Sequence, residues 1–449
     1  MPYDGEFAHY EPIKRIVESE RVKKIIQSAR IIDPDSEDIV SLSPEVALMT
    51  VDNLPLFVVA IDGSKIEVPV KNGYPGAMVG YLTIASVLID LERIEELDIH
   101  RPVNPVEFRK TEEVSGIDTA FPGSNVIVRS HSSARDSFRE SIYENLRDIV
   151  VDDDGVSLLD TYEALLDLKP KKHLQQCPYC ESGECKESLS IPRGITSCKT
   201  TKKPIYSTDA LRIYERFHDI GTNGESFGEI MQVWERVLLV HLLRGFERRG
   251  LLDKAIKVAF IIDGPLAIFG HPAWLSQAIS KELKRINKIV REKTGTDLII
   301  LGIEKSGEAY EHFISIDEPN RLGKSLFLPR SYVLLTDEYI KKRIIFSESS
   351  KRYGLDTYFG RKFFYKTHNG YRIVANVAFL TDEQDTLSSD SIALYPQFQN
   401  ICNLLDKIIS SRYPNALSPI VAAHAQAAIP LHLGGKVLEQ LAKALIRKE

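Results

Sequence analysis

Apolar positions along the chain follow two patterns, and each pattern predicts a different kind of element. Uninterrupted apolar runs that end in a carboxylate occur twice, as FVVAID over residues 57–62 and as VAFIID over residues 258–263. A short apolar run followed by a Gly-containing turn is typical of a strand that crosses a core. We therefore predict two buried strands, which deliver Asp62 and Asp263 into turns.

The segments next to these two runs predict how a sheet is built. Residues 65–70 (KIEVPV) and 77–90 (AMVGYLTIASVLID) are separated by the turn sequence NGYPG, which predicts an antiparallel meander that begins with the first strand. After the second strand, a helical pattern over residues 272–293 leads to the apolar run LIILGIE over residues 298–304. The order strand, helix, strand favours parallel pairing. Together these patterns predict an α/β fold with a mixed sheet that is flanked by helices.

The second pattern, apolar residues at helical spacing, is found near both ends of the chain and in residues 224–250. Residues 10–31 place their apolar side chains as an amphipathic helix does, and residues 399–449 contain further helical stretches. We expect a helical segment over residues 1–45 and one large domain over residues 46–449.

The two aspartates at the strand ends are candidates for a metal site. A buried carboxylate is costly unless a cation or hydrogen bonds compensate its charge, and two on neighbouring strands indicate a divalent ion. The alternative is that Asp62 and Asp263 only cap their turns, since Asp-Gly is a common turn dipeptide. Glu235 is a third candidate because it lies on the helix of residues 224–250, just before the second strand. For Glu235 the alternative is a solvated surface position.

Four of the five cysteines lie close together, in the spacing Cys177-x2-Cys180-x4-Cys185-x12-Cys198. A C-x2-C pair on a tight turn supplies two thiolates at tetrahedral angles, and later cysteines can complete such a site. We expect structural Zn²⁺ here, in a small zinc-ribbon-like insertion over residues 170–204 that has no core of its own. The alternatives are four unrelated thiols, or a site in which His173 replaces one cysteine.

A segment near residues 341–366 is rich in both basic and aromatic residues. Charges for a phosphate backbone, interleaved with rings that stack on bases, are what a groove for single-stranded nucleic acid requires. The candidate contacts are Lys341, Lys342, Arg343, Arg361 and Lys362, together with Lys305 after the 298–304 run. The alternative is an amphipathic strand with a charged outer edge.

Composition limits the classes of function. The chain has 449 residues with 57 Lys and Arg against 63 Asp and Glu, so nucleic-acid binding requires a local basic surface or a basic partner. No apolar run is long enough to span a membrane, and the N-terminus lacks the apolar core of a signal peptide. We therefore expect a cytoplasmic protein without membrane association. The P-loop motif GxxxxGK[ST] does not occur, so any ATP hydrolysis has to come from a partner.

Four short motifs in a fixed order resemble the NurA nucleases. They are VVAIDGS over residues 58–64, a glutamate on a helix, IIDGPL over residues 261–266, and a C-terminal YP…P…AH with eleven residues from Tyr413 to His424. The resemblance implies an RNase H-like core, metal-dependent processing of DNA ends and a partnership with a HerA-type hexameric ATPase. It spans residues 46–449, which it identifies as a NurA-like nuclease domain interrupted by the cysteine insertion.

Carried over position by position, the resemblance implies the site residues Asp62, Asp263, Tyr413 and His424. Glu235 is the best match to the acidic helix position, and Glu247 is a rival, because 28 residues from Glu235 to Asp263 is long for the family. The carboxylates suit two Mn²⁺ or Mg²⁺ ions. His424 then completes the coordination or assists proton transfer, and Tyr413 positions water or phosphate.

We therefore expect a Mn²⁺- or Mg²⁺-dependent deoxyribonuclease, with the 5′-to-3′ exonuclease and single-strand endonuclease activities that the resemblance implies. The expected partners are DNA, a HerA-like ATPase and a second copy of the chain in a homodimer, in DNA repair or anti-phage defence. Two alternatives stay open. One is an RNase H-fold nuclease that acts on RNA, and the other is a non-catalytic zinc-ribbon adaptor that binds nucleic acid or a protein partner.

Overall fold

The structure is a computed structural model. It describes residues 10–29, 42–49, 54–71, 73, 76–92, 112–128, 131–151, 153–169, 177–180, 193–319, 323–385, 390–409, 417–430 and 433–446. The chain divides into two units, residues 1–41 and 42–449.

In the smaller unit, two short helices replace the single amphipathic helix that the sequence predicts. They are α1 (Glu11–Glu18) and α2 (Glu20–Ser28). Ser19 separates them because its backbone is extended and its side chain accepts a hydrogen bond from the N–H of Val22, which caps α2.

In the described part of the larger unit, nine strands form one sheet and two further strands form a separate hairpin. The nine strands are β1 (Glu45–Val46), β2 (Phe57–Lys71), β3 (Ala77–Asp90), β4 (Glu112–Pro122), β7 (Val258–Asp263), β8 (Ile299–Glu304), β9 (Ser331–Leu334), β10 (Gly360–Lys366) and β11 (Arg372–Ala378). The hairpin consists of β5 (Ile195–Ser197) and β6 (Pro204–Tyr206). The order along the sheet is β1-β9-β10-β11-β8-β7-β2-β3-β4.

Helices cover both faces of this sheet. Those of at least eight residues in the described part of the larger unit are α3 (Ala134–Asp148), α4 (Leu158–Leu166), α5 (Gly224–Arg248), α6 (Trp274–Thr294), α7 (Glu308–Ile316), α8 (Phe398–Lys407), α9 (Ser418–Ala427) and α10 (Leu433–Leu445). The four helices α3, α4, α5 and α6 pack on one face of the sheet in one hydrophobic core. Helices α8 and α9 pack on the other face in a second core.

The structure confirms the predicted mixed sheet, but the turn predicted after Asp62 is wrong. Residues 57–62 and 65–70 form one strand, β2, because Asp62, Gly63 and Ser64 pair with β3 without a break. β2, β3 and β4 form an antiparallel meander, and β7 pairs in parallel with β2 and with β8. The order β4-β3-β2-β7-β8 agrees with the RNase H-like core that the resemblance implies. The first five residues of β7, Val258 to Ile262, are all buried, as expected for a parallel strand covered on both faces.

The remaining strands extend the sheet beyond β8. β11 pairs antiparallel with β8, β10 with β11, and β9 with β10. The last seven residues of the segment that the sequence marks as basic and aromatic therefore form an interior strand, β10, and all seven are buried. Among the described residues, no helix is long and apolar enough to cross a membrane.

Candidate active site

Two parallel strands place the predicted aspartates side by side in the sheet. β2 and β7 pair in register, with Ile61 opposite Ile262. Asp62 and Asp263 are the next residues along the two strands, so they lie at the same level, where β7 ends and β2 continues to Lys71. The sequence pattern that ends each apolar run in an acid thus corresponds to one shared site.

Asp62 is 4% exposed and is held on both carboxylate oxygens. Its Oδ1 accepts a hydrogen bond of 2.8 Å from the N–H of Gly63, and its Oδ2 lies 2.8 Å from Nδ1 of His424 on α9. Burial and the nearby charge of Asp263 raise the pKa of Asp62, while His424 and Lys305 oppose that shift. Asp62 therefore lies in an environment where added positive charge is favourable.

Asp263 is less buried, and its partner comes from the end of the next parallel strand. Nζ of Lys305, directly after β8, lies 2.7 Å from Oδ2 of Asp263. The structure thus places Lys305, a predicted nucleic-acid contact, at the carboxylates. Its side chain is 37% exposed, so it faces both the acid and the open side of the site.

Glu235 reaches the same site from α5, which packs against β2. It is 3% exposed, and its partner is the neighbouring Arg236, whose guanidinium also donates to the carbonyl of Pro265 at 3.1 Å. Burial is the main cause that raises the pKa of Glu235 to about 7, with Asp62 and Asp263 adding to it and Arg236 opposing it.

Gly63 is the residue that lets the helix approach. A Cβ built on Gly63 would lie 2.6 Å from Oε1 of Glu235 and 2.8 Å from Cγ of Met231. The glycine of the Asp-Gly dipeptide therefore permits close packing between β2 and α5 within a continuous strand, and does not form a turn.

These donors fit a hard divalent cation. Asp62, Asp263 and His424 each offer one ligand atom, and these atoms all lie within 4.8 Å of one another. Carboxylate oxygens with one imidazole nitrogen suit Mg²⁺ or Mn²⁺. Burial is the main cause that raises the pKa values of Asp62 and Glu235, with the neighbouring carboxylates adding to it, and a bound cation would favour the charged form of both groups.

Comparison with known proteins identifies the family. The family model described as NurA domain matches residues 57–429, a range that includes Asp62, Glu235, Asp263 and His424. The chain belongs to the NurA nuclease family. A search of solved structures finds the crystal structure of the NurA nuclease from Sulfolobus solfataricus, with 13% identity, a TM-score of 0.33 and 98% of each chain covered. Comparison with curated proteins gives no match.

In this NurA domain the carboxylates open into a cleft of about 860 Å³. Besides the predicted residues, it is lined by Arg216, Glu229, Gln232, Arg236, Phe269 and Tyr358. Phe269 lies on a connection between elements and Arg216 ends a short 3-10 helix, so neither residue is part of a helical or strand periodicity that would mark it for function. Arg236 and Gln232 have one signal in the sequence, because they lie within one turn of Glu235 on the same helix.

Glu247, the rival for the acidic helix position, does not lie in the site. Glu247 is on the far part of α5, where both its oxygens pair with Arg285 at 2.6 and 2.7 Å. The structure therefore favours Glu235 over Glu247 as the helix acid. Tyr413 lies outside the described residues, so its predicted role stays a prediction.

Two of the predicted nucleic-acid contacts do not fit that role. Arg361 and Lys362 are 2% and 5% exposed within β10. Nζ of Lys362 lies 2.6 Å from both oxygens of Glu304, and Arg361 donates to the carbonyl of Leu335 at 3.2 Å. Both cations therefore stabilise the sheet instead of presenting charge to a ligand.

Lys341, Lys342 and Arg343 form a short π-helical turn after β9, away from the cleft lining. Lys341 and Lys342 pair with Asp337 and Glu338 at 3.1 and 2.9 Å. Their predicted role in binding nucleic acid stays a prediction.

A second group of metal-binding residues lies in the cysteine insertion. Cys177, Cys180 and Cys198 are buried, and their sulfur atoms lie within 4.8 Å of one another. Burial is the largest influence on Cys177 and raises the pKa of its thiol. Cys185 lies outside the described residues, so the four-cysteine site is not tested as a whole.

Tyr179, which lies between Cys177 and Cys180, connects the cysteine insertion to the rest of the domain. The Tyr179 ring lies 4.6 Å from the guanidinium carbon of Arg139, which is 2% exposed on α3. Arg139 in turn donates to both oxygens of Asp209, at 2.8 and 2.6 Å. The insertion is thus connected to the core by a buried charged network.

Proposed function

We propose that this chain is a divalent-metal-dependent deoxyribonuclease that hydrolyses phosphodiester bonds in the cleft of Asp62 and Asp263. The observation that carries the proposal is the meeting of Asp62, Asp263 and His424 from two strands and a C-terminal helix, with Glu235 beside them. Two carboxylates and an imidazole that open to a cleft of about 860 Å³ are suited to phosphate chemistry.

Asp62, Asp263 and His424 would hold Mn²⁺ or Mg²⁺, and Glu235 would supply further oxygen ligands for a two-metal arrangement. When bound, such ions neutralise phosphate charge and generate a nucleophile from water near neutral pH. Asp62 keeps its orientation because the Gly63 N–H and His424 fix its two oxygens. The exposed ammonium of Lys305 adds positive charge where a phosphate would enter.

Finer features of the proposal rest on the family. We propose that DNA ends are the substrate, with 5′-to-3′ exonuclease and single-strand endonuclease activities. A HerA-like hexameric ATPase would supply translocation and much of the basic surface that a chain of net charge −6 lacks. A homodimer, a cytoplasmic location and a role in DNA repair or anti-phage defence belong to the same proposal.

The cysteine cluster supports a second, structural metal. Three buried sulfur atoms within 4.8 Å suit Zn²⁺, whose ligands in structural sites are commonly thiolates in a tetrahedron. We propose that Zn²⁺ is held by Cys177, Cys180 and Cys198, with Cys185 as the predicted fourth ligand. Its role would be to fold the insertion and keep Tyr179 on Arg139.

The test is a comparison of substrates and metals. End-labelled DNA and RNA of the same sequence, single- and double-stranded, would be incubated with the protein in Mn²⁺, Mg²⁺ or EDTA, with and without the ATPase partner. The proposal predicts DNA cleavage with Mn²⁺ or Mg²⁺ and none with EDTA. Cleavage of RNA alone would replace it with the ribonuclease alternative, and no cleavage even with the partner would favour the adaptor.

A further inference from the structure

One aromatic ring on the wall of the cleft has no partner over much of its surface. Phe269, in the connection after β7, is 43% exposed, although it lines the same cleft as Asp62 and Asp263. A single exposed apolar residue is ordinary on a protein surface. Phe269 differs because its backbone and one neighbouring ring are held firmly in place.

The backbone of Phe269 is fixed by a side chain of α5. Oε1 of Gln232 accepts a hydrogen bond of 2.9 Å from the Phe269 N–H, and Nε2 of Gln232 donates to the Phe269 carbonyl at 3.3 Å. The preceding N–H, of Ile268, donates to the carbonyl of Thr357 at 2.9 Å. These hydrogen bonds fix the backbone that carries the ring. Gln232, which makes two of them, lies one helical turn from Glu235 on α5.

The neighbouring ring is Tyr358, which meets Phe269 edge to face with centroids 5.7 Å apart. The Tyr358 hydroxyl lies 2.7 Å from that of Tyr353, and Nζ of Lys362 lies 5.6 Å from the centroid of the Tyr358 ring. Tyr358 is therefore held from two sides, and it supports Phe269 from the edge instead of covering its face.

We propose that Phe269 is a base-stacking position, on which one unpaired nucleobase of the bound DNA strand packs while a phosphate of that strand lies at the carboxylates. This inference rests on the proposed function and names the substrate class more closely, as a strand that is single-stranded at the cleft. A flat apolar face accepts any base, which suits a nuclease without sequence preference. A base inside a duplex cannot offer its face to Phe269, since both faces are already stacked.

The expected effect is measurable because a stacked base contributes a defined share of affinity. Loss of one base–aromatic contact weakens binding by roughly 5- to 150-fold. Phe269→Leu keeps an apolar side chain of similar size but removes the planar face, and Phe269→Trp enlarges that face. Phe346→Leu is the matched control, because Phe346 is 62% exposed and does not line the cleft.

The experiment measures equilibrium binding of short single-stranded DNA in Ca²⁺ by fluorescence anisotropy, for wild type and the three variants. One strand is intact, and each of the others carries one abasic residue at a different position. Wild type, Phe269→Trp and Phe346→Leu should lose affinity when a particular base is missing. Phe269→Leu should bind the intact strand about as weakly as wild type binds that abasic strand, and should no longer respond to the missing base.

Two outcomes overturn the inference. In the first, Phe269→Leu responds to every abasic strand as wild type does, and in the second, wild-type affinity depends on no base at all. Cleavage assays on the same strands in Mn²⁺ separate this inference from the proposed function. Base-dependent binding without cleavage retains the stacking position and rejects the nuclease, whereas cleavage with an unchanged response in Phe269→Leu rejects the stacking position alone.

Discussion

His424 and Asp62 are 362 positions apart in the sequence, yet Nδ1 of His424 lies 2.8 Å from Oδ2 of Asp62. The contact forms because α9 packs against β2 and β3 on the side of the sheet opposite α5. Asp62 is thus approached by His424 from one side and by Glu235 from the other. The C-terminal part of the chain is therefore needed to complete the site.

Replacement of His424 should lower metal affinity more than it lowers stability. Its side chain is 60% exposed, so His424→Ala leaves no buried cavity, but it removes a ligand and the hydrogen bond that orients Asp62. We expect the apparent metal affinity to fall roughly 10- to 100-fold, as is typical when a residue that orients a metal ligand is removed. High Mn²⁺ should partly restore activity. Metal titrations of DNA cleavage test this. An unchanged titration curve would remove His424 from the site.

The stability of the metal-free protein should depend on pH through Glu235. Its pKa is about 7 in the folded state against 4.5 ordinarily, so the folded state binds the proton more tightly. This contribution to the free energy of unfolding is fully present below pH 4.5 and is lost as pH rises through 7, by about 3 kcal/mol. Urea unfolding in EDTA from pH 4.5 to 8, for wild type and Glu235→Gln, measures it.

In Glu235→Gln this part of the pH dependence should be absent, although Asp62, whose pKa is also raised, still contributes. A difference between the two proteins that stays constant with pH would contradict the account. Saturating Mn²⁺ should also diminish the pH dependence of wild type, because the ion replaces the proton.

A methyl group at Gly63 should damage the site. Gly63→Ala places Cβ 2.6 Å from Glu235 Oε1, so α5 or the carboxylate has to move. We expect a loss of about 1–3 kcal/mol in unfolding free energy together with a large loss of cleavage. Gly116→Ala in β4 is the control, because its Cβ meets nothing within 4 Å. Equal effects of the two substitutions would show that close packing at Gly63 is not the cause.

Loss of one cluster cysteine should remove zinc without touching the cleft. Cys198→Ser is expected to release Zn²⁺ and to lower the melting temperature, whereas Cys402→Ser, at a buried cysteine of α8 outside the cluster, should keep the metal. Elemental analysis of purified protein gives the zinc content of each. Equal zinc in all three proteins would exclude Cys198 as a ligand.

The two aspartates could be predicted from the sequence because each follows directly after an uninterrupted apolar run. An apolar run that ends in Asp-Gly marks a core strand in both cases, and parallel pairing then places Asp62 beside Asp263, although only β7 ends at its aspartate and β2 continues to Lys71. Glu235 was a candidate because of its place on the helix just before the second strand, but its burial could not be predicted, since it depends on how α5 packs against β2. The mixed sheet followed from the same strand patterns.

The basic and aromatic segment shows why other features could not be predicted. Its composition indicates a binding groove, but β10 lies between β9 and β11, and Lys362 neutralises Glu304 from a distant strand. Such pairing between distant residues is not visible in one sequence. Phe269 was missed for the opposite reason, because an isolated aromatic residue in a connecting segment has no periodicity.

The central claim, that one metal site made of Asp62 and Asp263 cleaves DNA, is tested most directly by matched Asp→Asn substitutions. Asp62→Asn and Asp263→Asn would be compared with Asp297→Asn. Asp297 is buried, accepts a hydrogen bond from Asn287 and does not line the cleft. End-labelled DNA with Mn²⁺ and with EDTA is the assay, and circular dichroism confirms folding. We predict metal-dependent cleavage by wild type and Asp297→Asn, and at least a hundredfold loss in both site variants, on the order of removing a key electrostatic group. Undiminished cleavage by folded Asp62→Asn or Asp263→Asn, or cleavage that persists in EDTA, would contradict the account.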